Sequence, residues 1–318
     1  MISRNKKIVV IGGGTGIFSV LAGLRKYFDN ITSIVTMADD GGSTGILRED
    51  FGILPPGDVR RSLIALSETD DKILSELFSY RFKEGKGLVG HSFGNLMPTA
   101  LERITGDFEK AIKEAEKILR VNGEVVPVTL NKPRLYAELE NGKIIKGESN
   151  IDTPAHDGRI KITKTWLSSP TKINPRAKKA ILEADIIIIG PGDLYTSILP
   201  NILVGGVPEA LQKTKGTVIY VSNLMTKHGE TNGFTAYDFL ETICKYIPAG
   251  TLDYFLVNDK KPTPSRLKKY TTQHSAFVRL ERDKFNQKPL LVAGDLLRSH
   301  GFIRHDPEKT ARIIMSLM

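Results

Sequence analysis

Residues 8 to 16, Ile-Val-Val-Ile-Gly-Gly-Gly-Thr-Gly, join an apolar, β-branched run directly to a glycine-rich turn. Behind the turn, Ile17, Val20, Leu21, Leu24 and Phe28 recur at helical spacing. The order strand, tight turn, helix places free backbone N–H groups and the positive end of a helix dipole at the carboxyl edge of a sheet. Such an edge suits phosphate. Gly12 and Gly14 stand at the first and third positions of a dinucleotide fingerprint, but Ile17 stands at the sixth, where a glycine belongs. No Lys-Ser/Thr pair closes the turn as in a P-loop. The turn therefore commits the chain to an α/β fold more firmly than it names a ligand.

The rest of the 318 residues support a soluble protein. Hydrophobic residues make up 40% and charged residues 25%, ordinary for a globular chain. No apolar run approaches the ~20 residues that span a bilayer. Met1 to Lys7 lead straight into the first strand without signal-peptide organisation, so a cytoplasmic location is expected. The single cysteine, Cys244, excludes an intramolecular disulfide; among Leu240, Ile243 and Ile247 it is expected to be a buried, inert thiol. Net charge is +9, but the basic residues come in scattered pairs such as Lys178-Lys179 and Lys260-Lys261. Without a basic run or aromatic interleaving, a cleft for an anionic small molecule is favoured over nucleic acid.

A second strand is predicted over 31–37, followed by helices over 59–66, 72–78, 95–104 and 108–119, the last capped by Asp107. From about 122 to 168 the pattern becomes short alternating strands with a hairpin turn at Asn141-Gly142, read as a β-rich insertion in a single domain spanning 1–318. Ile186 to Ile189 then read as a strand buried on both faces, with further strands at 218–221, 252–257 and 290–293. Thr235 and Asp238 have capping-box spacing, and Asp306-Pro307 open a final helix.

Four predicted strand ends carry unusual loops: 12–16, 39–45, 190–193 and 223–233. Ligands of open parallel sheets bind at that edge. Asp39 and Asp40 suit a ribose hydroxyl or a Mg²⁺ ion against phosphate oxygens, and Asp-Gly is also an ordinary turn pair. Asp58, Arg60 and Arg61 offer a carboxylate and guanidinium groups, or simply begin a surface helix. Gly90-His91-Ser92-Phe93-Gly94 matches a nucleophile elbow in form, but only Leu88 and Val89 stand where its strand should be. His91, Ser92 and Asn95 are better read as polar groups at a helix start. Tyr270 and Arg304 offer base stacking and a phosphate grip.

Taken in order, Ile11-Gly-Gly-Gly-Thr-Gly16, Ala38-Asp-Asp-Gly-Gly-Ser-Thr-Gly45, Pro55-Pro-Gly-Asp-Val-Arg60, Gly90-His-Ser-Phe-Gly-Asn-Leu96, Gly190-Pro-Gly-Asp-Leu-Tyr-Thr-Ser-Ile198 and Asn223-Leu-Met-Thr226 form an ordered set. The set resembles the gluconeogenesis-factor (YvcK-like) family, within the superfamily of CofD-like 2-phospho-L-lactate transferases. The resemblance implies a Rossmann-like three-layer α/β fold with a parallel sheet in a cytoplasmic bacterial protein. It further implies a binder of UDP-sugars, especially UDP-N-acetylglucosamine, linked to gluconeogenic growth, cell-wall precursor metabolism and cell shape.

Carried onto this chain, the family's ligand-binding positions fall on Gly13, Gly14, Thr15, Gly16, Asp39, Asp40, His91, Ser92, Asn95, Gly190, Gly192 and Asp193, with Asn223, Tyr270 and Arg304 added. The transferase branch carries an Ile-Ser-Pro-Asp segment after its Ala-Asp-Asp motif; residues 52–58 here lack it. A regulator is thus expected, with the glycine turn holding the diphosphate, loop 225–234 as the mobile element, no required cofactor and no catalytic residue assigned. Mg²⁺ at Asp39 or Asp40, a homo-oligomer and regulatory protein partners remain open. A metal-dependent transferase and an NAD-binding enzyme are the alternatives.

Overall fold

A computed structural model describes residues 3–68 and 72–318; Met1 and Ile2 of the N-terminal lead-in lie outside the described residues. Seven parallel strands form the main sheet: β1 (Lys7–Gly12), β2 (Asn30–Val35), β3 (Glu124–Pro127), β7 (Ile186–Ile189), β8 (Thr217–Val221), β9 (Tyr254–Asn258) and β10 (Leu290–Gly294). Their spatial order is β10-β9-β8-β7-β1-β2-β3. Three strands between them in sequence, β4 (Leu135–Leu139), β5 (Ile144–Lys146) and β6 (Ile162–Leu167), make a separate antiparallel sheet in the order β5-β4-β6.

Strand periodicity divides the core. Val9, Ile11, Ile187 and Ile189 face one side of the sheet, while Ile8, Val10, Ile186 and Ile188 face the other. All eight are buried, which is why both strands read as continuous apolar runs. On the second side pack helices α1 (Gly14–Leu24), α3 (Gly57–Leu66) and α6 (Phe108–Ile118), with the final helix Pro307–Ser316. The first side carries helices Pro175–Glu183, Val207–Lys213 and Ala236–Cys244 together with the small sheet. The layers are helix, sheet, helix. Each fully buried aliphatic side chain contributes roughly 1.5–3 kcal/mol to holding them together.

Local signals act where the sequence places them. Asp107 accepts the Lys110 N–H at 2.8 Å, Thr235 and Asp238 form the capping box, and Asp306 accepts from the Glu308 and Lys309 N–H groups at 3.0 Å. Gly142 turns the β4–β5 hairpin at φ +80°. Two expectations need correcting. Residues 124–127 pair with β2 and extend the main sheet, because Val125 and Val126 bury opposite faces there; the small sheet occupies only 135–167 of the 122–168 stretch. Cys244 is exposed, since it is the last residue of its helix and lies past the buried pair Phe239 and Ile243.

Candidate functional site

In this strand order the direction of winding reverses between β1 and β7, and the carboxyl ends of such neighbours open a crevice. The crevice has two lobes. The larger, about 420 Å³, is lined by Asp39, Arg60, Arg81, Asn95, Glu148 and Ser197, among others. The smaller, about 160 Å³, is lined by Ser19, Asn223, Met225, Arg304 and His305, among others. Both include Gly14, Thr15 and Asp193, so the lobes form one cleft. A bigger cavity of about 590 Å³ lies at the opposite, amino-terminal edge of β1 to β3. Its charges satisfy one another, as in Lys7–Glu183 at 2.8 Å and Arg176–Glu124 at 2.6 Å.

The glycines of the cleft serve close packing. A Cβ on Gly16 would lie 2.3 Å from the Pro191 carbonyl oxygen, and one on Gly192 would lie 3.2 Å from the Gly13 carbonyl oxygen. The loops after β1 and β7 are thus pressed backbone to backbone. Gly14 needs its left-handed conformation at φ +68°. Its N–H is not free: it donates to the Asp58 carboxylate at 2.9 Å, and Arg61 pairs with that carboxylate at 2.8 Å. The chain's own acid therefore sits at the amino end of α1, where the sequence suggested a diphosphate.

The acidic pair after β2 divides its work. Asp39 lines the large lobe, accepts the Gly41 N–H at 3.0 Å and lies against Gly57. Burial and then the nearby Asp58 charge raise it to about 6. Asp40 turns away and accepts the Ser149 N–H at 2.9 Å, at the start of the short helical turn Glu148–Asp152. It ties the small sheet to the site. Burial, followed by Asp39 and other acids, pushes Glu148 up to about 9, so this cleft-lining carboxyl keeps its proton at neutral pH.

Helix α5 (Phe93–Thr105) starts beside the large lobe. Asn95 donates to Ser43 Oγ at 3.3 Å and Thr44 Oγ1 at 3.4 Å, and the His91 ring meets Ser43 Oγ at 3.1 Å. Asn95 Oδ1 and Ser92 Oγ are buried without partners. His91 and Asn95 therefore hold the Asp-Asp-Gly-Gly-Ser-Thr loop while Ser92 does not, and of the three only Asn95 lines the lobe.

Across the cleft, Lys227 Nζ joins three carboxylates: Asp193 at 2.7 Å, Glu230 at 3.0 Å, and Asp152. Glu230 is fully buried and accepts from the Tyr195 N–H and Thr196 Oγ1. Burial and Asp193 raise it, against the pull of Lys227, to about 7. Burial opposes the charge on Lys227, but the surrounding acids outweigh it and hold the ammonium above its ordinary range.

Residues 8–296 match the family model described as 2-phospho-L-lactate transferase CofD. The gluconeogenesis factor of Bacillus subtilis (strain 168) is 40% identical over 319 residues, covering 99% of each chain. The chain belongs to the gluconeogenesis-factor family. A relative from Nostoc sp. is 47% identical over 316 residues, spanning 98% of this chain and 68% of its own. A crystal structure of a Bacillus halodurans protein, 39% identical, superposes with a TM-score of 0.93 over 99% of this chain and all of that one.

In this gluconeogenesis-factor family member the structure gathers Gly13 to Gly16, Asp39, Asn95, Gly190 to Asp193, Asn223 and Arg304 around one cleft or directly behind its wall. Asn223 Oδ1 is buried without a partner in the small lobe. Next to it, burial lowers His305 to about 4, leaving a neutral ring against the Ser222 carbonyl at 3.1 Å. Tyr270 lines neither lobe. Its hydroxyl accepts the Ile303 N–H at 2.8 Å and its ring packs with Leu224, Leu297 and Ile303, so it supports Arg304 from behind. Loop 225–234, expected to be mobile, is anchored through Lys227, the buried Glu230 and the Thr226–Ala276 backbone bond at 2.7 Å. Sequence reasoning passed over Arg81, Glu148, Lys227 and Glu230. Only Lys227 and Glu230, three residues apart inside a suspect loop, left a trace that could have been followed.

Proposed function

We propose that this family member binds a UDP-sugar resembling UDP-N-acetylglucosamine across the two lobes. In this reading it acts as a ligand-binding regulator between gluconeogenic carbon metabolism and cell-wall precursor supply, with an effect on cell shape. The observation that carries the proposal is the continuity of the cleft at the switch point, with guanidinium groups and an unpaired buried amide oxygen in each lobe. Asn223 Oδ1 suits the imide N–H of uracil, and Arg304 suits a nearby phosphate. The large lobe takes the sugar, whose hydroxyls match Asp39, Asn95 and the protonated Glu148.

Mg²⁺ fits Asp39, which faces the lobe and would be relieved of its crowding by a cation shared with phosphate oxygens. The Asp152, Asp193 and Glu230 oxygens lie within 4.8 Å of one another, but the Lys227 ammonium already sits within ion-pair distance of all three.

Calorimetric titration tests the reading. UDP-N-acetylglucosamine is expected to bind in the micromolar range and to be recovered intact, with NAD and GDP binding weakly or not at all. Tight NAD or GDP binding without UDP-sugar binding would overturn it. The raised Asp39 beside a protonated Glu148 favours one second reading, a transferase. Asp39→Asn separates the two: a regulator loses affinity, whereas a transferase loses turnover of a nucleotide-activated donor by about 100-fold or more with smaller loss of binding.

A further inference from the structure

We infer that Arg60 of α3 and Arg81, packed beside the start of α5, hold the distal phosphate of the ligand, and that the first glycine turn does not. This deepens the nucleotide-sugar reading and rests on it only for the identity of the ligand.

Two observations remove the glycine turn. The Asp58 carboxylate already accepts the Gly14 N–H and lies so close that a Cβ on Gly13 would be 2.3 Å from Asp58 Oδ2. A phosphate brought there would meet an acid in a poorly screened site.

The large lobe carries acids too, Asp39, Asp58, Glu148, Asp152 and Asp193, but its Arg60–Arg81 side offers the opposite charge. Arg60 and Arg81 both line it, and among the described residues neither has a carboxylate within ion-pair distance. Among the described residues, Arg60 Nε is buried without a hydrogen bond and the Gly90 carbonyl is the one acceptor of Arg81. A buried donor left unmatched is costly, so an acceptor is expected to complete it. Burial, and then repulsion from Arg61 and Arg81, lowers Arg60 to about 10, which an incoming anion would reverse. The approach of Arg60 is built into the fold. Its stem runs over Gly94, where a Cβ would come within 2.5 Å of Arg60 Cδ. The second glycine of Gly90-His-Ser-Phe-Gly94 thus admits both the Phe78 carbonyl oxygen, which a Cβ would meet at 2.3 Å, and the arginine stem. Helix α5 adds the positive end of its dipole, with no side-chain cap from Ser92, whose buried Oγ is unpartnered.

Inorganic pyrophosphate is the first probe, titrated into wild type, Arg60→Gln and Arg81→Gln, followed by UDP and UMP. Each substitution is expected to weaken pyrophosphate and UDP binding about tenfold or more while changing UMP binding less than about twofold. Arg81 is exposed, so its variant keeps the test valid even where Arg60→Gln disturbs packing over Gly94. Unchanged pyrophosphate and UDP affinity in Arg81→Gln, or an equal loss for UMP, would overturn the inference. Pyrophosphate binding that is lost in both variants while no uridine compound binds wild type would sustain the phosphate site and overturn the UDP-sugar reading.

Discussion

Replacing Lys227 with methionine is expected to cost the folded protein about 3 kcal/mol near pH 8, read by urea unfolding. The ammonium is the shared counter-ion of Asp152, Asp193 and Glu230, and Glu230 has no contact with solvent. Methionine fills similar space but strands a buried carboxylate. Acid should lessen the damage. Glu230 is raised from 4.5 to about 7 in the folded state, so between those values the folded protein holds more protons than the unfolded one. Its contribution to stability is therefore present below 4.5 and falls as pH rises through about 7. Without Lys227 the carboxyl should be raised further, so the penalty is largest above neutrality and shrinks as the pH is lowered to about 5. An equal penalty at both pH values would show that Glu230 is not the group left uncompensated. The same residue anchors loop 225–234 to the cleft wall, so methionine should also weaken ligand binding.

How far the chain could be read depended on the range of the forces involved. Periodicity is local, and so the alternation in β1 and β7, the caps at Asp107 and Asp306, and the hairpin at Asn141-Gly142 were legible. The strand-end loops were legible for the same reason, since glycine and aspartate runs mark where a strand ends, although not whether they serve a turn, packing or a ligand. Long-range pairing was not. Val125 and Val126 look alike whether they start an insertion or edge the main sheet, and only the partner β2 decides. Charges showed the same limit. Asp39 and Asp40 are adjacent and chemically identical, yet one faces the cleft while the other holds Ser149, 109 positions away. Asp58 was visible as a candidate acid, but its capture of the Gly14 N–H requires α3 to be packed against the turn. Glu148 acquires its character from burial and chiefly from acids of other segments, with Asp152 of its own turn adding to them.

Alanine at Gly16 is expected to destabilise the protein by about 3 kcal/mol, seen as a lower unfolding midpoint with unchanged denaturant dependence. Helix propensity alone would favour alanine in α1 by roughly 0.5–1 kcal/mol. Close approach outweighs it, because the new Cβ would stand 2.3 Å from the Pro191 carbonyl oxygen and 2.7 Å from its carbon. Both are backbone atoms just past the carboxyl end of β7, so no side chain can rotate aside; the two loops must part. A glycine kept for phosphate approach would behave differently. Its alanine variant would be as stable as wild type and would lose pyrophosphate affinity instead. Stability loss in Gly16→Ala, set beside affinity loss in Arg81→Gln, would separate the two jobs that a glycine-rich strand end can do. The first glycine turn would then be the joint between β1 and β7, and the anion site would belong to the arginines facing it across the cleft.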